Sequence, residues 1–255
     1  MKMQVCILCG GTGTRLKEQT EFIPKPMVSI GGSPIIWHIL KHYSYYGCND
    51  FILALGYKQE AFKEYFIHFE RKHSDMIFDM RAGDIWYDDP LPPWRVTLSD
   101  TGENTLKGGR LKRIEKYIND DIFLMTYGDA VSDVNIKELV AFHKSHGKLV
   151  TITGVHPEPR FGELIHKNGS VISYREKPNS ENLVNGGFMV LGRDVFNYLD
   201  NQCDFEHGPL EKIAAEGQLM VYHHRGFWKC MDTLNDMIEL QRIWDSGKAA
   251  WKIWQ

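Results

Sequence analysis

The sequence predicts an α/β fold: a mostly parallel, mixed sheet flanked by helices, with small antiparallel additions. Three observations predict it. Between residues 4 and 155, apolar runs of strand length alternate with stretches of helical periodicity, the pattern of successive βα units. The first run, Gln4 to Leu8, empties into a glycine cluster, as a buried parallel strand does where it opens into a ligand loop. A composition of 43% hydrophobic and 25% charged residues over 255 positions supplies a sizeable core and excludes a disordered chain. No internal repeat or low-complexity linker divides the chain, so one domain over residues 1–255 is expected.

The elements follow in order. After Gly31-Gly32, Ser33 reads as an N-cap and Pro34 as the first helical residue, with Ile35, Ile36, Ile39 and Leu40 making an apolar stripe that Gly47 ends. Phe51 to Leu55 is a second strand, and Gln59 to Phe69 places Phe62, Tyr65, Phe66 and Phe69 at helical spacing. Asp75 to Met80 and Arg95 to Ser99 read as shorter strands, separated by Asp88 to Pro93, where three prolines in four positions exclude a continuing ladder. Leu111 to Ile118 has helical periodicity, and Ile122 to Thr126 is a strand running into Tyr127-Gly128-Asp129. Asn135 to His146 is an amphipathic helix stopped by Gly147, and Leu149 to Val155 is a strand rich in β-branched residues. The remaining third is less regular. It offers strands at Ser170 to Arg175, Phe188 to Leu191 and Leu219 to His223, and helices at Pro209 to Glu216 and Leu234 to Trp244.

Charge and cysteine usage narrow the partners. A formal net charge of −3 provides no general positive field for nucleic acid or an anionic membrane, so neither is expected as a partner. No apolar run approaches the roughly 18 to 20 residues that span a bilayer, and Met1 to Val5 shows no cleavable-signal pattern. Five irregularly spaced cysteines argue against a disulfide framework. A cytoplasmic setting is the expectation.

The chemistry concentrates in three places. Gly10-Gly11-Thr12-Gly13-Thr14-Arg15-Leu16 follows the first strand directly, and its glycines would let backbone N–H groups approach phosphate oxygens; a plain tight turn is the alternative. The dinucleotide fingerprint fails, because Leu16 stands instead of a third glycine and Gly56-Tyr57 instead of an acid ends the second strand. That weakens a nicotinamide oxidoreductase, and a Walker loop is also absent. Pro24-Lys25-Pro26 restricts the backbone around a cation, which with Arg15 could clamp the charge that phosphoryl transfer builds on phosphate oxygens; a solvated lysine in a proline turn is the alternative. Asp129 ends an apolar strand and Asp232 follows Gly226-Phe227-Trp228, and two carboxylates suffice for Mg²⁺. For Asp232, which precedes a predicted helix, an N-cap role is the competing reading.

These segments, with Leu8-Cys9, Ile30-Gly31-Gly32-x-Pro34, Glu176-Lys177-Pro178 and Asn185-Gly186-Gly187, resemble the sugar-1-phosphate nucleotidylyltransferases in order and spacing over nearly the whole chain. A closer likeness, to members that use CTP and glucose 1-phosphate, rests on Trp37-His38-Ile39, Gly108 to Arg113, Arg160-Phe161-Gly162 and Met231-Asp232-Thr233-Leu234. The resemblance implies a Rossmann-like nucleotidyltransferase fold, an Mg²⁺ cofactor and a homo-oligomer. It implies that Leu8, Cys9, Gly10, Gly11, Thr12, Gly13, Thr14 and Arg15 hold the nucleotide together with Lys25, Thr105, Arg110 and Gly128. Arg15, Lys25 and Asp129 would be catalytic, and Asp129 and Asp232 would bind metal. Lys177, Asn185, Glu176 and Gly162 would hold the sugar phosphate. Cys9 replaces a more usual alanine and Ala130 a more usual glycine; neither removes a charge. A different phosphorylated acceptor, dTTP or UTP as donor, and a non-catalytic nucleotide-binding relative remain the alternatives.

Other signals carry less. Cys6 and Cys9 have CxxC spacing but sit three apart on a strand and therefore face opposite ways, without a second pair to complete a zinc site. His143 and His146 read as surface histidines and His223-His224 as structural. Trp244, Trp251 and Trp254 are too apolar for a free tail and are expected to dock, preferably on another subunit.

Overall fold

A computed structural model describes residues 2–11, 16, 22–157, 162–176 and 182–254. In chain order these hold β1 (Gln4–Leu8), a 3-10 helix over Lys25–Met27, β2 (Ser29–Ile30), β3 (Ser33–Pro34), α1 (Ile35–Tyr45), β4 (Asp50–Leu55), α2 (Glu60–Ile67), α3 (Phe69–His73), β5 (Met76–Asp79), β6 (Asp84–Tyr87) and β7 (Arg95–Asp100). Then come α4 (Lys107–Ile114), β8 (Ile122–Tyr127), β9 (Ala130–Ser132), α5 (Ile136–His146), β10 (Val150–Val155), β11 (Glu163–Lys167) and β12 (Ser170–Arg175). The last are β13 (Val184–Asn185), β14 (Met189–Gly192), α6 (Glu211–Ala215), β15 (Leu219–His223), β16 (Trp228–Cys230) and α7 (Leu234–Asp245).

The main sheet is mixed, as expected. β1, β4, β7 and β8 are mutually parallel, β14 joins β8 antiparallel, and β15 joins β10 parallel. Because β15 occupies one edge of β10, β13 and β14 share the other, and their register changes where Gly187 (φ 74°) and Phe188 (φ 47°) turn left-handed. The chain leaves β1 toward β4 and β7, then returns to place β8 on the opposite side of β1. That reversal opens a crevice at the carboxyl ends of β1 and β8, where open α/β sheets bind ligands.

The period-two alternation of the strands separates two cores. Val5, Ile7, Leu53 and Leu124 pack against α1 and α5, whereas Cys6, Leu8, Ile52 and Phe123 pack against α4 and its neighbours. Cys6 and Cys9 thus fall in different cores as buried thiols, and burial raises the Cys6 thiol to about 12.

Several boundaries differ from expectation for identifiable reasons. Pro34 has extended backbone and pairs through β3 with β2, so α1 starts at Ile35 and Ser33 is not its cap. α4 begins four residues earlier than its apolar spacing suggests. A Cβ on Gly108 or Gly109 would come within 2.5 Å of Cys203 Sγ or the Asn201 carbonyl, so these glycines serve close packing instead of ending a helix. β6, unanticipated, pairs with β5 as a hairpin. His143 is buried, not superficial, and both it and His146 bond the Thr151 hydroxyl, at 2.9 and 2.8 Å.

The tryptophan tail docks on its own chain. Trp251 stacks on Phe227 at 5.3 Å between ring centroids, and Trp254 makes a T-shaped contact with Trp37 at 5.8 Å. Aromatic side chains from α1, α7 and the β16 region already form the receiving surface, which removes the reason for seeking another subunit. His38 lies beneath. Its Nε2 is 2.8 Å from the Ile30 carbonyl and so carries the proton, leaving Nδ1 to accept the Trp251 indole N–H at 3.3 Å.

Burial lowers the pKa of His38, His42 and His143 to about 4 each. For His143 the neighbouring His146 and Lys144 charges add to burial in the same direction. An unfolded chain would protonate these side chains from about 6.5 downward, so their contribution to stability is complete above that pH and is lost as the pH falls toward 4. Each group contributes a slope of roughly 1.4 kcal/mol per pH unit in that window. Thermal melts should therefore show a falling Tm from pH 6.5 to 4.5, and a constant Tm would contradict three neutral buried imidazoles.

Candidate active site

Pro24 and Pro26 fix Lys25 in its 3-10 helix, with Pro26 buried and Pro24 in the extended capping position. The ammonium leaves this turn to reach two carboxylates, donating to Asp129 Oδ2 at 2.7 Å and to Asp232 Oδ1 at 2.6 Å. Only 11% of the Lys25 side chain is exposed. Burial works against its charge, but the Asp129 carboxylate and the hydrogen bonds to both aspartates raise its pKa above the usual lysine range. Lys25 is therefore a fixed cation.

Strand pairing brings the two aspartates together. Asp129 immediately precedes β9 and Asp232 closely follows β16; those strands pair antiparallel with Ala130 opposite Cys230, and the Met231 N–H donates to the Asp129 carbonyl at 2.9 Å. The capping alternative for Asp232 is settled by its neighbour. Thr233 is the N-cap of α7 and forms a reciprocal capping box with Asp236, which leaves the Asp232 carboxylate to Lys25.

Asp129, Asp232 and Cys230 offer ligand atoms within 4.8 Å of one another. Burial first, and the Asp129 charge next, raise the Cys230 pKa well above its usual value, so it stays a thiol. The remaining donors are carboxylate oxygens of two aspartates whose charge one ammonium only half offsets, a hard oxygen set that suits a divalent cation such as Mg²⁺.

A cavity of about 350 Å³ opens beside this cluster. Leu8, Cys9, Gly10 and Gly11 form one wall, Thr105 and Arg110 another, and Lys25, Gly128 and Asp129 border it as well. Arg110 does more than line it. Its Nη1 donates to the Leu55 and Gly102 carbonyls and the Thr101 hydroxyl, and its Nη2 to the Gly10 and Glu103 carbonyls, at 2.7 to 3.0 Å. One guanidinium thus ties the end of β4 to the segments that follow β1 and β7. A Cβ on Gly10 would overlap it, so glycine at that position permits the approach.

The expected sugar-side residues divide. Asn185 reaches the cavity wall, donating from Nδ2 to the Tyr127 hydroxyl at 3.3 Å. Glu176 instead accepts from Tyr174, and a Cβ on Gly162 would press on the same tyrosine; neither residue lines the cavity. Thr12, Gly13, Thr14, Arg15 and Lys177 lie outside the described residues.

Sequence reasoning missed Lys107, Tyr127, Asp204, Glu206 and Cys230. Tyr127 directly precedes Gly128-Asp129, and Lys107 falls between Thr105 and Arg110, so both were within sight of a motif. Asp204 and Glu206 occupy a stretch without periodicity. Burial, then the Glu206 charge and hydrogen bond, raise the Tyr127 pKa far above its usual value, so the phenol keeps its proton.

A lysine between two aspartates lies at the switch point of a mixed α/β sheet, beside a glycine-walled cavity, an arrangement suited to ligands that carry phosphate. The family described as Nucleotidyl transferase matches residues 4–246, and the chain belongs to it. It is 47% identical to glucose-1-phosphate cytidylyltransferase of Salmonella typhimurium over 257 residues, covering 99% of this chain and all of the relative. It is 43% identical to a probable glucose-1-phosphate cytidylyltransferase of Bacillus subtilis over 254 residues, again 99% of this chain and all of the relative. Among solved structures, HddC from Yersinia pseudotuberculosis matches with a TM-score of 0.70 and 25% identity, over 95% of this chain and 99% of that one. Among the described residues, no helix is long and apolar enough to cross a membrane.

Proposed function

We propose that the protein transfers the cytidylyl group of CTP to glucose 1-phosphate, releasing pyrophosphate and forming CDP-glucose, with Mg²⁺ as cofactor. The observation that carries this reading is the convergence of Lys25 on Asp129 and Asp232 beside the cavity walled by Leu8 to Gly11. The near full-length identity to cytidylyltransferases supports the choice of base and acceptor.

The acceptor needs no general base. A phosphate monoester has a second pKa of about 6 and is mostly dianionic at neutral pH. Its oxygen attacks the α-phosphorus of CTP, a new P–O bond forms, and the bond to the bridging oxygen breaks with its electron pair leaving on pyrophosphate. The obstacle is charge repulsion between two anions. Lys25, held protonated, answers it by donating its third N–H to a non-bridging oxygen, and the proline turn keeps it in place. Arg15 is proposed as a second cation there. Backbone groups of Gly10 and Gly11 receive the triphosphate, and Thr105 and Arg110 shape the nucleoside side. Asp129 and Asp232 would hold the divalent ion that this family generally uses, which when bound supplies further charge neutralisation at the phosphates. Lys177, Asn185, Glu176 and Gly162 are proposed on the acceptor side.

A homo-oligomer is also proposed. The β5–β6 hairpin exposes Phe78, Ile85 and Trp86, and the β11–β12 hairpin exposes Leu164, Ile172 and Tyr174, apolar surface of the kind that a second copy would cover. All five cysteines are free, which fits a cytoplasmic enzyme.

The test is pyrophosphate release with each of CTP, UTP, dTTP and GTP crossed with a panel of sugar 1-phosphates and Mg²⁺. CTP with glucose 1-phosphate should give the highest kcat/KM. Another preferred pair would replace the substrate assignment, and no release in any combination would favour a non-catalytic nucleotide binder.

A further inference from the structure

Mg²⁺ at Asp129 and Asp232 would use only two of three converging donors. The third is Cys230, whose Sγ and one carboxylate oxygen from each aspartate all lie within 4.8 Å of one another. Among the described residues, no other three side chains drawn from His, Cys, Asp and Glu bring donor atoms this close. The Cys230 side chain is half-buried, whereas Cys6, Cys9 and Cys48 are fully buried in the body of the protein.

Strand geometry puts the thiol there. Cys230 ends β16 opposite Ala130, the residue that follows Asp129. The next N–H, from Met231, continues the ladder to the Asp129 carbonyl, and the Met231 side chain is buried in the tryptophan cluster. Side chains alternate along an extended chain, so Cys230 and Asp232 turn to the other side, where Lys25 meets Asp232.

Hard and soft cations use these donors differently. Mg²⁺ takes oxygen ligands in octahedral geometry and gains nothing from a thiol. Zn²⁺ takes sulfur and carboxylate oxygen together in tetrahedral geometry, at about 2.0–2.3 Å, which sets neighbouring ligand atoms roughly 3.3–3.6 Å apart. Side-chain shifts of about 1 Å therefore close the observed span. Lys25 engages one oxygen of each carboxylate, and its single charge does not cancel theirs. On binding, the Cys230 S–H bond breaks, its electron pair forms the sulfur–metal bond, and the proton leaves to solvent.

We infer that Asp129, Cys230 and Asp232 together form a binding site for a thiophilic divalent cation of the Zn²⁺ class, which competes there with the ion that transfer requires. This rests on the proposed role of Asp129 and Asp232 in holding a divalent ion.

Titration of reduced, metal-stripped, substrate-free protein with Cd²⁺ tests it, read by the ultraviolet charge-transfer band of a cadmium–thiolate bond. Wild-type protein should gain that band and saturate at one ion per chain. Cys203→Ala, which removes the other half-buried thiol, should behave as wild type. Cys230→Ala and the nearly isosteric Cys230→Ser should lack the band. Asp129→Asn and Asp232→Asn should bind Cd²⁺ at least about tenfold more weakly, since even residues outside a ligand shell cost that much. In pyrophosphate release, Zn²⁺ should inhibit wild type at a concentration at least about tenfold lower than it inhibits Cys230→Ser, each rate referred to that protein's own rate with Mg²⁺ alone. No band in wild type, a band that survives in Cys230→Ser or disappears in Cys203→Ala, or equal Zn²⁺ sensitivity would overturn the inference. If neither Cys230 variant folds, the aspartate variants decide: wild-type affinity for Cd²⁺ in both would overturn it. Protein that shows the band but turns over no pair of nucleotide and sugar phosphate would defeat the functional reading and leave the site standing. Normal turnover without the band would defeat only the role of Cys230.

Discussion

Asp129→Asn is expected to lower kcat by about 10²- to 10³-fold while leaving the protein folded. The exchange keeps the shape of the side chain and removes its charge, so it isolates electrostatics from packing. Asp129 is 29% exposed on its side chain, and its contact with Lys25 is one partly solvated ion pair, so little stability is at stake. What is lost is half of the carboxylate pair that would hold the divalent ion, together with the partner that orients the Lys25 ammonium. Lys25→Ala should be comparably inactive through the opposite charge, since it removes the donor to the phosphate oxygens. Pyrophosphate-release rates alongside thermal melts separate the two explanations of inactivity. A folded Asp129→Asn variant with near-normal kcat would contradict its role.

Trp251→Ala should cost about 3–5 kcal/mol of stability, the range for emptying a large buried aromatic site. Trp251 is 1% exposed, stacks on Phe227 and contacts Trp244. Its indole N–H also satisfies Nδ1 of the buried His38, so truncation leaves a buried acceptor unpaired in addition to a cavity. The same cluster contains Met231, next to Asp232, so loosening it should also reduce activity. Urea denaturation measures the loss. A change below about 1 kcal/mol would show that the tail is not part of the core it joins here.

Local pattern carried much of the fold. β1, β12 and β15 begin and end where apolar runs or alternation place them, because a strand's length is written in its own residues. The stop of α5 at the left-handed Gly147 was equally legible, and its start fell one residue after the expected Asn135, which caps it. What local pattern could not show depends on contacts far apart in the chain. The first turn of α4 carries no apolar spacing, and its Gly108 and Gly109 are explained only by residues 201–204 packed against them. The tail looks exposed until α1 and α7 present their rings.

The site divides in the same way. Lys25 between two prolines and Asp129 at a strand end are local signals, and the resemblance supplied the rest. Only the pairing of Ala130 with Cys230 puts Asp232 beside Asp129, about a hundred positions away. Glu206 was illegible because its orientation comes from a broken helix, which leaves no periodic trace. Arg110 was expected to touch nucleotide, and the structure adds that its hydrogen bonds go to the backbone that shapes the cavity.

A crystal grown with CTP, a non-reacting glucose 1-phosphate analogue and Mg²⁺ tests the central claim most directly. The account predicts a metal ion bound by carboxylate oxygens of Asp129 and Asp232, with the α-phosphate within hydrogen-bond reach of Lys25 and the triphosphate along Gly10 and Gly11. Nucleotide bound elsewhere, or a metal ion that ignores both aspartates, would contradict it.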